Sequence, residues 1–310
     1  MTNDKRPMTN DKRPMTNDKR PICTLALMVV VGNQLFGAEP ERLVRLTSDG
    51  LFKQRPAWSP DGKQLSFARH EGDAIRLYAI GADGSEERRL TDYKHPEYDA
   101  VWSPDGKRLA FARVAVSGTQ GDVDVYTIAA DGSDAQQIAG SQGKLSHEES
   151  PAWKPDGKEI AFTSTRDGNQ ELYVAAADGS DVRRLTSDNG LDAHPTWSPG
   201  GLRLAFATDR WGDLELALID ADGSNLTRLT TSRGLDDYPA WSPDGKHLAF
   251  TSNRDGNYEI YRIDVSGGEP TNLTQDEGLD HFAAWSPEGK LAFVSNRDGG
   301  FEIHLLAPAR

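Results

Sequence analysis

The chain has 310 residues, of which 36% are hydrophobic and 27% charged, with 30 Gly, 17 Pro and a single Cys. Its 7 Trp, 8 Tyr and 10 Phe supply a sizeable core, which excludes a disordered or fibrous protein, and one Cys excludes a disulfide framework or a cysteine metal cluster. Asp and Glu (48) outnumber Lys and Arg (35), and a net charge of −13 repels nucleic acid and anionic membranes, so neither is expected as a partner.

The sequence opens on MTNDKRP written three times, from Met1, Met8 and Met15, which reads as a tandem duplication or an uncertain start. Lys19 and Arg20 then precede an apolar run, Ile22 to Val31, followed by small residues at Gly37 and Ala38. Positive residues, a run of about ten apolar ones and a small-residue site have the layout of a secretory signal peptide. The run is too short to span a bilayer. Residues 1–38 are therefore expected to be removed on export, leaving a mature N-terminus near Glu39 with no transmembrane anchor. Cys23 lies inside the run without a lipobox-like pattern, so no lipid anchor is expected.

Residues 39–310 are dominated by one repeat. WSPDGK occurs at Trp58, Trp102 and Trp241, with the variants WKPDGK at Trp153, WSPGGL at Trp197 and WSPEGK at Trp285. Four of the five spacings between these Trp are 44 residues, and the one across unit two is 51, longer by seven. A period of this length marks a propeller or solenoid. Each unit reads as four short strands. The first ends at the Trp, and Ser-Pro-Asp-Gly makes a tight turn into the second. A hairpin such as RDGN (Arg254–Asn257) leads to the third, YEIYRI (Tyr258–Ile263), and Asp-Gly-Ser (Asp83, Asp131, Asp178, Asp222) leads to a fourth ending in Leu-Thr. No segment shows an extended apolar period of 3.6. The expected fold is all-β, a six-bladed β-propeller of four-stranded antiparallel blades. The last unit stops after its third strand, FEIHLLA (Phe301–Ala307), while RLVRLTSD (Arg42–Asp49) matches the fourth-strand sequence RRLTSD (Arg183–Asp188). The N-terminal strand is thus expected to complete the last blade and close the ring, giving a monomer without open blade faces. The extra residues of unit two fall in two loops, before Tyr126 and before Glu149, and mark the places where this chain departs from its own repeat.

The WSPDGK, LAF-x-S-x-RDG, EIY and DGS…LT elements resemble the TolB-type β-propeller family over about residues 41–310. The resemblance implies a six-bladed propeller in a periplasmic or secreted protein. The family's name-giving member also carries an N-terminal α/β domain, for which this chain has no room.

No GxSxG, HExxH, GxxxxGK[ST] or pre-helical GxGxxG motif is present. The repeated Trp positions read as blade-to-blade packing. Trp211 departs from the pattern, sitting in a turn where other units have Asp or small residues, and reads as an exposed contact. Glu171, Glu215, Glu259 and Glu302 recur on the third strand, with Asp124 and Arg76 at that place in units two and one. An Arg lies five residues upstream of each Glu (Arg166, Arg210, Arg254, Arg297), which suggests a repeated ion pair across the hairpin. Five residues before the Trp stand Lys53, Glu97, Glu148, Asp192, Asp236 and Asp280, with Asp99, Glu149 and Asp237 nearby and His95, His147, His194 and His281 in the same region. First strands of propeller blades are innermost, so these acids converge on the mouth of the central channel. Two such charges about 8 Å apart cost about 2 kcal/mol at an effective dielectric near 20. Alternatively, each acid caps the turn into its own strand.

A hard cation would relieve the repulsion, so Glu97, Glu148, Asp192, Asp236 and Asp280 are the expected metal ligands and Ca²⁺ the expected ion. Regularly recurring oxygens favour it over Zn²⁺, because the His stand at different offsets from the Trp. Two functions follow. The first is a non-catalytic periplasmic or secreted scaffold that binds a protein or peptide, or a small molecule at the channel. The second is a metal-dependent hydrolase or lyase acting at the channel mouth, favoured by the irregular Lys53, Arg55 and His residues.

Overall fold

The computed structural model describes residues 43–114, 121–140 and 145–307. The readings of the duplicated leader and signal peptide, and parts of both unit-two loops, lie outside them. The described residues contain 24 strands and no helix. They form six four-stranded antiparallel sheets, each in simple sequential order except one. The first strands, Lys53–Trp58, Glu97–Trp102, Glu148–Trp153, Asp192–Trp197, Asp236–Trp241 and Asp280–Trp285, begin blades 1 to 6.

The exceptional sheet is blade 6, whose fourth strand is Leu43–Arg45, paired antiparallel with Glu302–Leu306. Ring closure by the N-terminal strand is therefore as the sequence predicts. The closing seam also has its own core. Trp58, Leu65, Phe67, Tyr78 and Ile80 of blade 1 pack with Ala292, Val294, Ile303 and Leu305 of blade 6. The other clusters are likewise shared between neighbouring blades, as where Leu216 and Leu218 of blade 4 meet Trp241 and Phe250 of blade 5. A single blade is too thin to bury both of its faces, so each depends on the next.

The repeat motifs explain the local structure. In WSPDGK of blade 1, the Asp61 carboxylate accepts hydrogen bonds from the Ser59 hydroxyl (2.7 Å) and the Lys63 N–H (3.1 Å). Gly62 takes φ +68°, a conformation costly for any other residue. The second strand then buries its Phe (Phe67, Phe111, Phe162, Phe206, Phe250, Phe293) completely. The Asp-Gly-Ser turns close similarly, Asp178 accepting from the Ser180 N–H at 2.9 Å and from its hydroxyl at 2.7 Å. The Trp side chains bridge blades as the sequence suggests. Trp58 Nε1 donates to the Ala284 carbonyl and Trp241 Nε1 to that of Thr196, each at 3.1 Å.

Candidate functional site: a ring of bulge residues in the channel

Every first strand carries a β-bulge, visible as a register shift against its second strand. The residue inside each bulge lies three positions before the Trp and adopts left-handed backbone. These residues are Arg55, Asp99, Ser150, His194, Tyr238 and Phe282, with φ between +51° and +59°. Non-glycine residues avoid this region, so six equivalent occurrences mark a feature of the fold and not an accident. Bulges re-aim side chains, and proline is tolerated beside them. Pro56, Pro151, Pro195 and Pro239 follow four of the six ring residues. Together with Trp58, Trp197, Trp241 and Trp285, these segments line a cavity of about 310 Å³, and all six ring residues line a 170 Å³ recess that shares Arg55, His194, Tyr238 and Phe282 with it.

The ring has two unlike arcs. On one side, Arg55 Nε lies 3.3 Å from Asp99 Oδ1, and the Ser150 hydroxyl donates to Asp99 Oδ2 at 3.1 Å. The Tyr98 hydroxyl donates to Glu149 at 2.8 Å, and burial, reinforced by Glu149, raises the Tyr98 pKa so that it stays a donor. On the other side, His194 stacks on Tyr238 with centroids 4.0 Å apart, and Tyr238 meets Phe282 edge-on at 4.7 Å. Asp237 Oδ1 lies 2.6 Å from His194 Nδ1 and fixes the imidazole as a wall of this arc. The Arg55 guanidinium, 4.9 Å from the Tyr238 centroid, joins the two arcs. The result is a half-buried rim offering an aromatic face beside a cation and carboxylates.

The predicted metal ligands sit two residues earlier on the same strands, and each is fully buried against partners within its own blade. Glu97 is paired with Arg113 (2.7 Å), Asp192 with Arg210 (2.6 and 2.8 Å) and Asp236 with Arg254 (2.7 and 2.8 Å). Asp280 is paired with Arg297 through one oxygen (2.6 Å), and burial raises its pKa despite that partner. Glu148 accepts from Ser146 (2.8 Å) and Ser164 (2.6 Å), with Arg166 farther off at 3.3 Å. Lys53, the exception in the sequence pattern, is buried against Glu302 at 2.7 Å.

The ion pairs expected between the hairpin arginines and the third-strand Glu are thus replaced by a different pairing. Arg166, Arg210, Arg254 and Arg297 turn inward to the first-strand acids. Glu171, Glu215 and Glu302 instead clasp the fourth strand, as where Glu171 accepts from Arg184 (2.9 Å), Thr186 (2.7 Å) and the Asp188 N–H (2.8 Å). Spacing alone favoured the hairpin neighbour, but the Arg and Thr of the RLT segment lie closer.

Among the described residues, one group of three metal-capable side chains has its ligand atoms mutually within 4.8 Å: Asp122, Asp124 and Glu148. The four His of the sequence reading do not join it. His194 belongs to the ring, while His281 lies beside it, its pKa lowered by burial. Ser150, Tyr238 and Phe282 were missed by sequence reasoning. Their signal was available, because the position three before the Trp reads R, D, S, H, Y, F while its surroundings repeat.

The comparisons agree with this architecture. The family model described as the TolB beta propeller domain matches residues 45–148, 142–235 and 190–308. The Tol-Pal system protein TolB of Anaeromyxobacter dehalogenans is 31% identical over 124 residues, 39% of this chain and 28% of that protein. An uncharacterized peptidase, YuxL of Bacillus subtilis, is 53% identical over 38 residues, 12% of this chain and 6% of the peptidase. The matches therefore span less than a third of either relative. Among solved structures, a putative TolB from Agrobacterium tumefaciens aligns with TM-score 0.66 and 21% identity, over 86% of this chain and 97% of that one. An oligogalacturonate lyase from Vibrio parahaemolyticus aligns at TM-score 0.59 and 13% identity, over 86% and 93%. Likeness at these identities speaks to the fold. The family model covers most of the chain, and the chain belongs to the TolB beta propeller domain family.

Proposed function

We propose that this chain is a non-catalytic binding scaffold of the periplasm, whose channel ring receives a segment of a protein partner. The observation that carries the reading is the ring itself. One backbone position, held in the same unusual conformation in all six blades, bears six different side chains. A position kept for packing would repeat, as the buried Phe of the second strands does. The aromatic arc of His194, Tyr238 and Phe282 suits an apolar or aromatic side chain, and Arg55 with Asp99 suits the polar backbone or end of a peptide. Relatives that bear the name of the Tol-Pal system favour a protein partner and an envelope location. No helix among the described residues is long and apolar enough to cross a membrane.

The test is affinity capture from a periplasmic extract of the native host, using wild type, Tyr238→Leu and Arg55→Gln. A protein captured by wild type and lost from both variants, with each variant still cooperatively folded at the assay temperature, is the expected result. Identical captures by all three would remove the ring from the binding surface. Mass spectrometry of the native protein should show loss of residues 1–38, and an intact cytoplasmic chain would contradict export.

A further inference from the structure

Blades 3 to 6 hold their fourth strand with the third-strand Glu clasp, and blade 2 does not. Its equivalents of the clasping Arg, Thr and following Ser are Gln137, Ala139 and Gly140, and its Glu is shortened to Asp124. Arg113, across the hairpin from Asp124, is taken by Glu97. Asp124 is about 5% exposed, and its Oδ1 is buried with no hydrogen-bond partner. This orphaned oxygen belongs to the group formed with Asp122 and Glu148, both also buried. Gly140 leaves room beside it, since a Cβ there would fall 2.5 Å from Asp124 Oδ1 and closer still to Gln137 Nε2, displacing both. Burial, then Asp122 and Glu148, push the Asp124 pKa up to about 6.

We propose that Asp122, Asp124 and Glu148 bind one divalent cation, calcium in preference to magnesium, at the seam of blades 2 and 3. Ligand oxygens facing each other across a calcium ion lie about 4.6–5.2 Å apart, twice the usual bond length, and neighbouring ligands lie closer. The 4.8 Å bound on this group fits that span. All donors are carboxylate oxygens, which selects a hard cation. Magnesium demands a tight octahedron and keeps several waters, which a fully buried Glu148 and nearly buried Asp122 and Asp124 do not favour. The cation would replace the Arg–Thr clasp of blades 3, 4 and 6 and tie the first strand of blade 3 to the third strand of blade 2. Of the five acids expected from sequence to hold calcium, this site retains Glu148 alone. The inference is independent of the channel ring.

The experiment is calcium titration of the chelator-treated full chain by calorimetry, with melting curves in calcium, magnesium and chelator. Wild type should bind one calcium and melt higher in it than in chelator or magnesium. Asp124→Asn, nearly isosteric, should weaken binding at least about tenfold. A triple variant, Asp124→Glu with Gln137→Arg and Ala139→Thr, installs the clasp of blades 3, 4 and 6. It should melt like calcium-loaded wild type and ignore calcium. Absence of binding heat, with identical wild-type melting in calcium and chelator, would overturn the proposal and leave a proton shared within the cluster. A calcium response that survives Asp124→Asn but is lost in Asp192→Asn would overturn it too, by placing the ion in the channel.

Discussion

Two layers of the same six strands behave in opposite ways. Five residues before the Trp, an acid recurs in five blades, is fully buried, and finds its partners inside its own blade, chiefly the hairpin arginine for Asp192, Asp236 and Asp280 and the second-strand Arg113 for Glu97, with only Asp280 Oδ1 left unpaired. Two residues later, at the bulge, no side chain recurs, and four of the six remain partly exposed to the channel. The first layer shows what duplication preserves when a charge is needed for folding. The second shows what changes when the fold no longer constrains the side chain. Repetition of a charged residue is therefore weak evidence of a shared ligand site, and loss of repetition on a repeated backbone is the better signal.

The largest effect expected from breaking the first layer is at the closing seam, where it meets the clasp. Glu302 accepts from Lys53 (2.7 Å), Thr47 (2.5 Å), Arg45 (3.2 Å) and the Gly50 N–H (2.6 Å). Burial pushes its pKa up, but these donors outweigh it and hold the carboxyl below its usual range. A depressed carboxylate contributes stability that is present above about pH 4 and is lost as pH falls through the lowered value. Deleting residues 43–48 removes two of the donors and the strand itself, leaving Leu305 and Ile303 uncovered. The variant should lose about 5 kcal/mol or more, a fall in melting temperature on the order of 10 °C, and should associate on size exclusion. A deletion variant that melts and elutes like wild type would show that the ring does not depend on this strand.

A sharper contrast comes from two residues of one strand. Asp236→Asn leaves Arg254 without its bidentate partner inside the blade and should cost about 3 kcal/mol, with partner capture unchanged once the protein is folded. Tyr238→Leu keeps apolar volume at the rim and should cost less than about 1.5 kcal/mol while abolishing capture. Chemical denaturation of both variants, set beside the capture assay, checks the pair. If Asp236→Asn is the one that loses the partner, the layers have been assigned the wrong way round.

The blade count, the strand order within each blade and the N-terminal closure were all legible in the sequence. They depend on turn chemistry and alternating burial, which are local and repeated. The third-strand Glu was legible as an ion-pair residue, but its partner was not. Arg166 is five residues from Glu171, yet the hairpin carries it inward to Glu148, and Arg184 arrives from the fourth strand. Partner choice between two arginines is a three-dimensional fact. The ring was half legible. Arg55, Asp99 and His194 stood out because they were polar or ionisable, whereas Ser150, Tyr238 and Phe282 looked like ordinary strand residues. Their backbone conformation, not their chemistry, groups them with the others.

Trp211 tests the limit of reading function from lost repetition, because it breaks the repeat for a structural reason. In blades 3 and 5 the hairpin arginine lies over a tyrosine, Arg166 at 4.9 Å from Tyr173 and Arg254 at 4.8 Å from Tyr261. Those tyrosine hydroxyls bond to Asp167 and Asp255. Blade 4 has Ala217 in place of the tyrosine and Trp211 in place of the aspartate. The indole lies 5.7 Å from Arg210 and 5.1 Å from Arg228, so it supplies the aromatic cover from the turn instead of the strand. Trp211→Asp should cost about 0.5–1 kcal/mol, the size of an exposed cation–π contact. Ala217→Tyr, made beside the intact Trp211, crowds a buried site and should cost about 1–3 kcal/mol. The double variant rebuilds the arrangement of blades 3 and 5, so its cost should fall short of the sum by about 1 kcal/mol or more. Strictly additive costs in a double-mutant cycle would mean that the two changes are unrelated, and would return Trp211 to the list of exposed residues available to a partner.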